Sequence, residues 1–223
     1  RIRMGSYYVT NGGDEADLVV AFNEQVLYSR IDQNALRTGT VLLIDDRWAS
    51  DEDPGIQEAY EKALDDFRAR GYDVRGIPIH SETSKVTDNP TRGKNMWVVG
   101  LLCALYNRDL EAAKAEVAQI FERKRKGEAV IDMNHKLLDA GHAWAIEHLD
   151  ERFEIPAVEQ EQEMVVMSGN AAVAMGAMAA GIEVCSMYPI TPATSATEKD
   201  PGAKTPSQRH RRASSGACAS SRA

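Results

Sequence analysis

Residues 17–46, DLVVAFNEQVLYSRIDQNALRTGTVLLIDD, decide how the rest of the chain is read. Leu18-Val19-Val20-Ala21-Phe22 is an unbroken apolar run, the pattern of a strand covered on both faces. A short helix is expected from Glu24. Thr38-Gly39 then precedes Val41-Leu42-Leu43-Ile44, a second buried strand that stops at Asp45-Asp46. Strands that alternate with helices in this way predict a parallel sheet and an α/β fold.

The pattern continues downstream. Asp53-Pro54 offers a helix cap followed by a favourable first position. Ile56, Tyr60, Ala63, Leu64 and Phe67 recur at helical spacing, and Gly71 stops the helix. Val74 to Ile79 reads as a third strand, with Pro78 marking an edge or an end. From Gly93 the character is helical. Met96 to Tyr106 is nearly all apolar, as for a helix buried against a sheet. Leu110, Val117, Ile120 and Phe121 mark the face of a second helix, and Met133, Leu137, Ala140 and Trp144 that of a third. Upstream, Ile2 to Thr10 has the β-branched and aromatic content of a strand, ending in a turn at Asn11-Gly12-Gly13.

A second unit follows residues 151–163, whose Pro156 and five glutamates predict a solvated linker. Met164 to Met167 suits a strand, Ser168-Gly169-Asn170 a tight turn, and Ala171 to Ala180 a helix closed by Gly181. Ile182 to Met187 returns as a strand and delivers Tyr188-Pro189-Ile190-Thr191-Pro192 at its carboxyl end, where open α/β sheets bind ligands. Pro189 and Pro192 fix the loop's dihedrals, so that Thr191 presents a hydroxyl and an amide, a donor pair suited to a carboxylate. From spacing alone, a strand–loop junction in which Thr191 caps a helix is the plainer reading. After Ala196 the chain changes: residues 197–223 contain no Ile, Leu, Val, Met, Phe, Trp or Tyr. Such a segment has too little to bury and is expected to be disordered.

Composition narrows the function classes. Of 223 residues, 43% are hydrophobic and 27% charged, the ordinary range of a globular protein, and no apolar run approaches the length of a membrane span. Residues 197–223 carry six Lys/Arg against two acids; with a net −8 for the chain, residues 1–196 therefore hold −12, which argues against a nucleic-acid-binding face. Cys103, Cys185 and Cys218 are distant and odd in number, pointing to a reducing compartment, and no Cys-x-x-Cys pair is present to hold an iron–sulfur cluster. No Gly-x-Gly-x-x-Gly follows an expected strand, and Arg92-Gly93-Lys94 lacks the glycine spacing of a phosphate loop. His135 and His142 lie about 10 Å apart along a helix, too far to share a metal. Cys103 reads as a small buried hydrophobe. Arg123-Lys124-Arg125-Lys126 reads as a solvated helix end that complements the helix dipole.

The stretch GNAAVAMGAMAAGIEVCSMYPITPATS, residues 169–195, resembles the start of the pyrimidine-binding domain of 2-oxoacid:ferredoxin oxidoreductases. DEADLVVAFN, LRTGTVLLID, GIPIH and GKNMWVVGLL, in that order, are similar to the γ-type domain of the same family. A γ domain followed by a pyrimidine-binding domain in one chain resembles the fused large subunit of the 2-oxoglutarate branch. The resemblance implies an incomplete parallel-sheet γ-type domain over residues 1–150, a linker over 151–163, and the first βαβ unit of a thiamine pyrimidine-binding domain over 164–196. Residues 197–223 are then expected to be an out-of-frame tail. It further implies CoA-dependent oxidative decarboxylation of a 2-oxoacid, 2-oxoglutarate first, with electrons passed to ferredoxin in the cytoplasm.

Thr191 would contact the substrate carboxylate, with Tyr188, Pro189, Ile190 and Pro192 shaping the loop. Thiamine diphosphate and Mg²⁺ would be shared with a β-type partner subunit, which would also carry the iron–sulfur cluster. Coenzyme A would be the co-substrate, and Arg123–Lys126 offers a secondary contact for its phosphate. The family's amino-terminal Gly-rich βαβ unit and the glutamate that pairs with the aminopyrimidine have no match here. Gly169-Asn170 is followed by Ala171, where many relatives have glutamate. The chain by itself is accordingly expected to be inactive. The alternative is a non-catalytic α/β domain that docks on a partner subunit.

Overall fold

A computed structural model describes residues 1–7, 9, 11–156 and 167–184. The chain divides into two units, residues 1–158 and 159–223. In the first, β1 (Ala16–Ala21), β2 (Leu36–Asp45) and β3 (Asp73–Ile77) form a parallel sheet in the order β1-β2-β3. Val20 aligns with Leu43, and Ile44 with Gly76. Alternate residues of β2 face opposite ways, and both faces are covered, which is why its sequence is continuously apolar. Leu42 and Ile44 join Leu27 of α1 (Gln25–Asp32) and Tyr60, Ala63 and Phe67 of α2 (Pro54–Ala69) in one core. Leu43 and Ile77 join Trp97, Leu101 and Leu105 of α4 (Pro90–Leu105) in a second core across the sheet.

Local chemistry sets the helix ends. The Asp53 carboxylate accepts the Gly55 N–H at 2.8 Å, with Pro54 as the first helical residue of α2. Gly71 ends α2 at φ +88°, a conformation cheap only for glycine. Ile56, expected on the buried face of α2, lies near its mouth and is 39% exposed. Pro78 ends β3 and opens a short α3 (Ile79–Ser84), so Ile79 is helical instead of closing the strand. The helical region begins at Pro90, three residues before Gly93.

α4 packs against α6 (Glu128–His148), with α5 (Leu110–Arg123) outside them. A Cβ on Gly100 would collide with the Leu138 carbonyl, and one on Gly141 with the Trp97 carbonyl. The two glycines thus bring the helix backbones into direct contact. This contact also turns α6: its buried positions are Asn134, Leu137, Leu138, Gly141 and Ala145, so of the expected stripe Leu137 is buried while Met133, Ala140 and Trp144 sit at the margin. On α5 only Val117 is buried, and Ile120 is exposed, because this outer helix packs mainly on α6 and touches α4 only slightly.

Two terminal segments of this unit depart from expectation. The described residues of the Ile2–Thr10 segment form no strand; Arg1 donates to the Gly13 carbonyl and Arg3 to Asn11 Oδ1 at 2.6 Å, tying the segment to the following turn by side chains. Residues 151–156, at the start of the expected solvated linker, are anchored. The Phe153 N–H donates to the Leu105 carbonyl at 2.7 Å, its ring stacks on Tyr106, and Glu151 pairs with Arg75 at 2.5 Å.

In the second unit, α7 (Gly169–Ala179) begins where a tight turn was expected, because Ser168 Oγ accepts the Ala171 N–H and caps it. Gly181 closes it at φ +77°. Ile182–Val184, the described part of the expected second strand, has no strand partner among the described residues. Residues 157–166, 185–196 and the 197–223 tail lie outside the described residues, so the expected strand at Met164 and the rest of that at Ile182–Met187 do as well. Among the described residues, no helix is long and apolar enough to cross a membrane.

Candidate functional site

Parallel strands deliver their carboxyl ends to one edge of the sheet, the edge at which ligands enter such folds. Here β1 runs into Phe22 and Glu24, β2 into Asp45 and Asp46, and β3 into Ile79 and His80. Asp45 is fully buried. One of its oxygens accepts the His80 backbone N–H at 3.1 Å, and the other accepts from Lys94 of α4 at 2.5 Å. Lys94 Nζ also lies 5.8 Å from the centre of the Phe22 ring. One carboxylate therefore links the end of β2 to α3 and α4.

Among the described residues, the polar groups around this ion pair are under-satisfied. Glu24 is 7% exposed; Oε1 accepts from Gln25 at 2.9 Å, while Oε2 has no partner. The Tyr60 hydroxyl is buried without a partner, and burial, then the charges of Asp46, Asp45 and Glu24, push its pKa up to about 12. Burial, with the Asp45 charge behind it, holds the Asp46 carboxyl above its ordinary range. Burial, followed by the cations Lys94 and Arg47, lowers the His80 imidazole below its ordinary value, and its Nδ1 is buried and unpartnered. Above them opens a cavity of about 530 Å³ lined by Asp46, Arg47, Ser50, Asp51, Glu52, His80 and Ser81. With three acids against one arginine on its wall, it suits hydrogen-bond donors better than phosphates.

A larger cavity, about 1410 Å³, lies along the free edge of β1 between the first residues of the chain and residues 152–155. Its walls include Leu18, Val20, Tyr106 and Phe153 beside Arg30, Arg37 and Arg152.

The substrate loop expected from sequence, Tyr188, Pro189, Ile190, Thr191 and Pro192, lies outside the described residues. α7, the small-residue helix preceding it, is present as expected. Cys103 is a free, buried thiol, and burial raises its pKa. His135 Nε2 lies 3.1 Å from the Lys114 carbonyl, a packing contact. Among the described residues, no three His, Cys, Asp or Glu side chains converge to hold a metal ion. Sequence reading missed the Asp45–Lys94 pair and the unsatisfied groups around it. The only signal was Asp45-Asp46 at a strand's carboxyl end, and it registered as a boundary.

Residues 2–144 match the family described as pyruvate ferredoxin/flavodoxin oxidoreductase. The 2-oxoglutarate oxidoreductase subunit KorA of Mycobacterium tuberculosis (strain ATCC 25618 / H37Rv) is 28% identical over 209 residues, covering 87% of this chain and 31% of KorA. A solved 2-oxoglutarate:ferredoxin oxidoreductase from Magnetococcus marinus, with 2-oxoglutarate, coenzyme A and succinyl-CoA bound, superposes with a TM-score of 0.64 at 27% identity. The match covers 86% of this chain and 31% of that one. The chain spans about a third of the length of the relatives it matches.

Proposed function

This chain belongs to the pyruvate ferredoxin/flavodoxin oxidoreductase family, and from that premise we propose that it is part of the large subunit of a 2-oxoglutarate:ferredoxin oxidoreductase. The observation that carries the choice of substrate is that both relatives described above, one aligned by sequence and one by structure, bear the name of 2-oxoglutarate. In the reaction, the bond between the carboxylate and the keto carbon of 2-oxoglutarate breaks and carbon dioxide leaves. The remaining acyl group joins the sulfur of coenzyme A, the thiol proton is released, and two electrons pass singly to two ferredoxins. When bound, thiamine diphosphate supplies the stabilisation of the carbanion that decarboxylation leaves behind.

Following the family resemblance, the reading assigns Mg²⁺, the diphosphate contacts and the iron–sulfur cluster to a β-type partner subunit. This chain's share would be Thr191, whose hydroxyl and amide would hold the 2-oxoacid carboxylate, with the fixed dihedrals of Pro189 and Pro192 limiting the loop's freedom. The first unit serves as the scaffold, with its carboxyl-edge cavity facing a donor-bearing ligand. The site of action is the cytoplasm, where ferredoxin and coenzyme A are at hand.

Thr191→Val in the full-length subunit, co-expressed with its partner, tests the assignment. The change removes one hydrogen bond to a charged group and nearly keeps the shape, so it should cost roughly 1.5–3 kcal/mol, about a tenfold to hundredfold loss in kcat/KM. Unchanged kinetics with every 2-oxoacid would remove Thr191 from the substrate site.

A further inference from the structure

Five described helices end in the same turn. After α1, α2, α4, α5 and α7, the first residue past the cap turns left-handed, and the N–H groups of that residue and the next bond back to the last helical turn. The bonds are Asn34 and Ala35 to Ile31 and Arg30, Gly71 and Tyr72 to Arg68 and Phe67, Asn107 and Arg108 to Ala104 and Cys103, Gly181 and Ile182 to Met178 and Ala177. In α5 they run from Arg125 and Lys126 to Glu122 and Phe121. The left-handed position favours glycine, then asparagine, because any other side chain crowds its own backbone there. Four of the five helices obey this rule, with Asn34, Gly71, Asn107 and Gly181. α5 instead places Arg125 there, at φ 53°.

The helix dipole does not account for the charge. α1 and α2 each carry one cation in the last turn, Arg30 and Arg68, and α5 already has Arg123. Dipole effects fade beyond the last turn, yet Lys124, Arg125 and Lys126 follow. All four are exposed. Arg123 donates to Gln119 at 2.8 Å, but the side chains of Lys124, Arg125 and Lys126 make no hydrogen bond or ion pair among the described residues. A strained backbone thus holds a run of unpaired charge at the surface, and strain of this kind marks places where a residue is kept for its interactions.

We infer that the carboxyl-terminal turn of α5, Arg123 to Lys126, is a docking surface for the acidic face of a protein partner. The inference is independent of the reaction proposed above. Neither of the two cavities described is lined by any of the four cations, which leaves a small phosphate nothing to enclose it. The net charge of the chain is −8, so an extended nucleic acid would meet repulsion on leaving the tetrad, whereas a compact acidic patch would not. Exposed charges of this kind steer and register a partner.

Arg125→Gly separates the two consequences, since it relieves the strain and removes the charge together. Anisotropy of a short labelled oligo-L-glutamate, which can stay on the tetrad, is measured at low and high ionic strength against the 223-residue chain with the six Lys/Arg of residues 197–223 changed to glutamine, with duplex DNA and pyrophosphate as competitors. With the tetrad intact this chain binds the oligoglutamate, salt weakens the binding, and neither competitor displaces it at matched charge. Arg125→Gly raises Tm by about 2–4 °C yet binds about two- to fivefold more weakly. Changing all four cations to glutamine weakens binding more than tenfold, while Lys62→Gln on α2 leaves it unaltered. Four results overturn the inference: no binding with the tetrad intact, a gain in Tm with binding unchanged, no gain in Tm, or displacement by DNA or pyrophosphate.

Discussion

Gly141→Ala adds one methyl group where two helix backbones touch. The new Cβ would collide with the Trp97 carbonyl oxygen, lying 2.8 Å from its carbon and 3.1 Å from the Leu101 nitrogen. These are backbone atoms of α4, which cannot turn aside as a side chain can, so α4 and α6 must part. Parting them loosens Trp97 and Leu101 on one side and Leu137, Leu138 and Ala145 on the other, all buried. Overpacking of this kind costs about 1–3 kcal/mol, and more where only backbone can yield. Alanine's better helix propensity returns about 1 kcal/mol. The net expectation is a loss of about 2 kcal/mol, or a Tm lower by about 4–8 °C in urea-free thermal melts. Gly100→Ala meets the Leu138 carbonyl and should behave alike. The double variant should lose less than the sum, because one separation of the helices accommodates both methyl groups. A Tm equal to or above wild type for either single variant would refute direct backbone contact between α4 and α6.

Lys94→Met leaves the fully buried Asp45 carboxylate without its partner and should destabilise by about 3–5 kcal/mol in urea unfolding, whereas Asp45→Asn with Lys94→Met should regain most of it. The Tyr60 pKa, raised to about 12 in the fold, makes a contribution that is whole below pH 10 and is lost as pH rises from 10 to 12. Urea unfolding across that window should show about 2 kcal/mol more loss in wild type than in Tyr60→Phe; equal slopes would mean the hydroxyl is not shielded.

The scaffold was legible wherever the signal was local. β1 and β2 follow from short continuous apolar runs, and α2 from its cap, its periodic face and Gly71. Glycine was also the visible stop for α7, but Asn34, Asn107 and Arg125 make the same turn and were passed over as ordinary residues. What depends on contact between distant segments was not legible. Lys94 and Asp45 are 49 residues apart, and nothing in Arg92-Gly93-Lys94 announces a partner. Gly141 is a single small residue in a helical pattern, yet it sets the face that α6 buries. Glu24 and Tyr60 read as a helix start and a core aromatic, and only their placement beneath the carboxyl edge makes them a polar cluster. For the Thr191 loop the reverse holds. The sequence offers a hydroxyl and an amide as an expected carboxylate site, and the loop's geometry lies outside the described residues.

The most direct test of the central claim is anaerobic reduction of a viologen dye by the full-length subunit purified with its β-type partner. Thiamine diphosphate, Mg²⁺ and coenzyme A are supplied, and each 2-oxoacid is tried in turn. The account predicts dye reduction that requires coenzyme A, is fastest with 2-oxoglutarate and yields succinyl-CoA, while the 223-residue chain alone gives none. An intact, cofactor-loaded complex that reduces no dye with any 2-oxoacid would contradict it, and so would turnover by the chain without its partner.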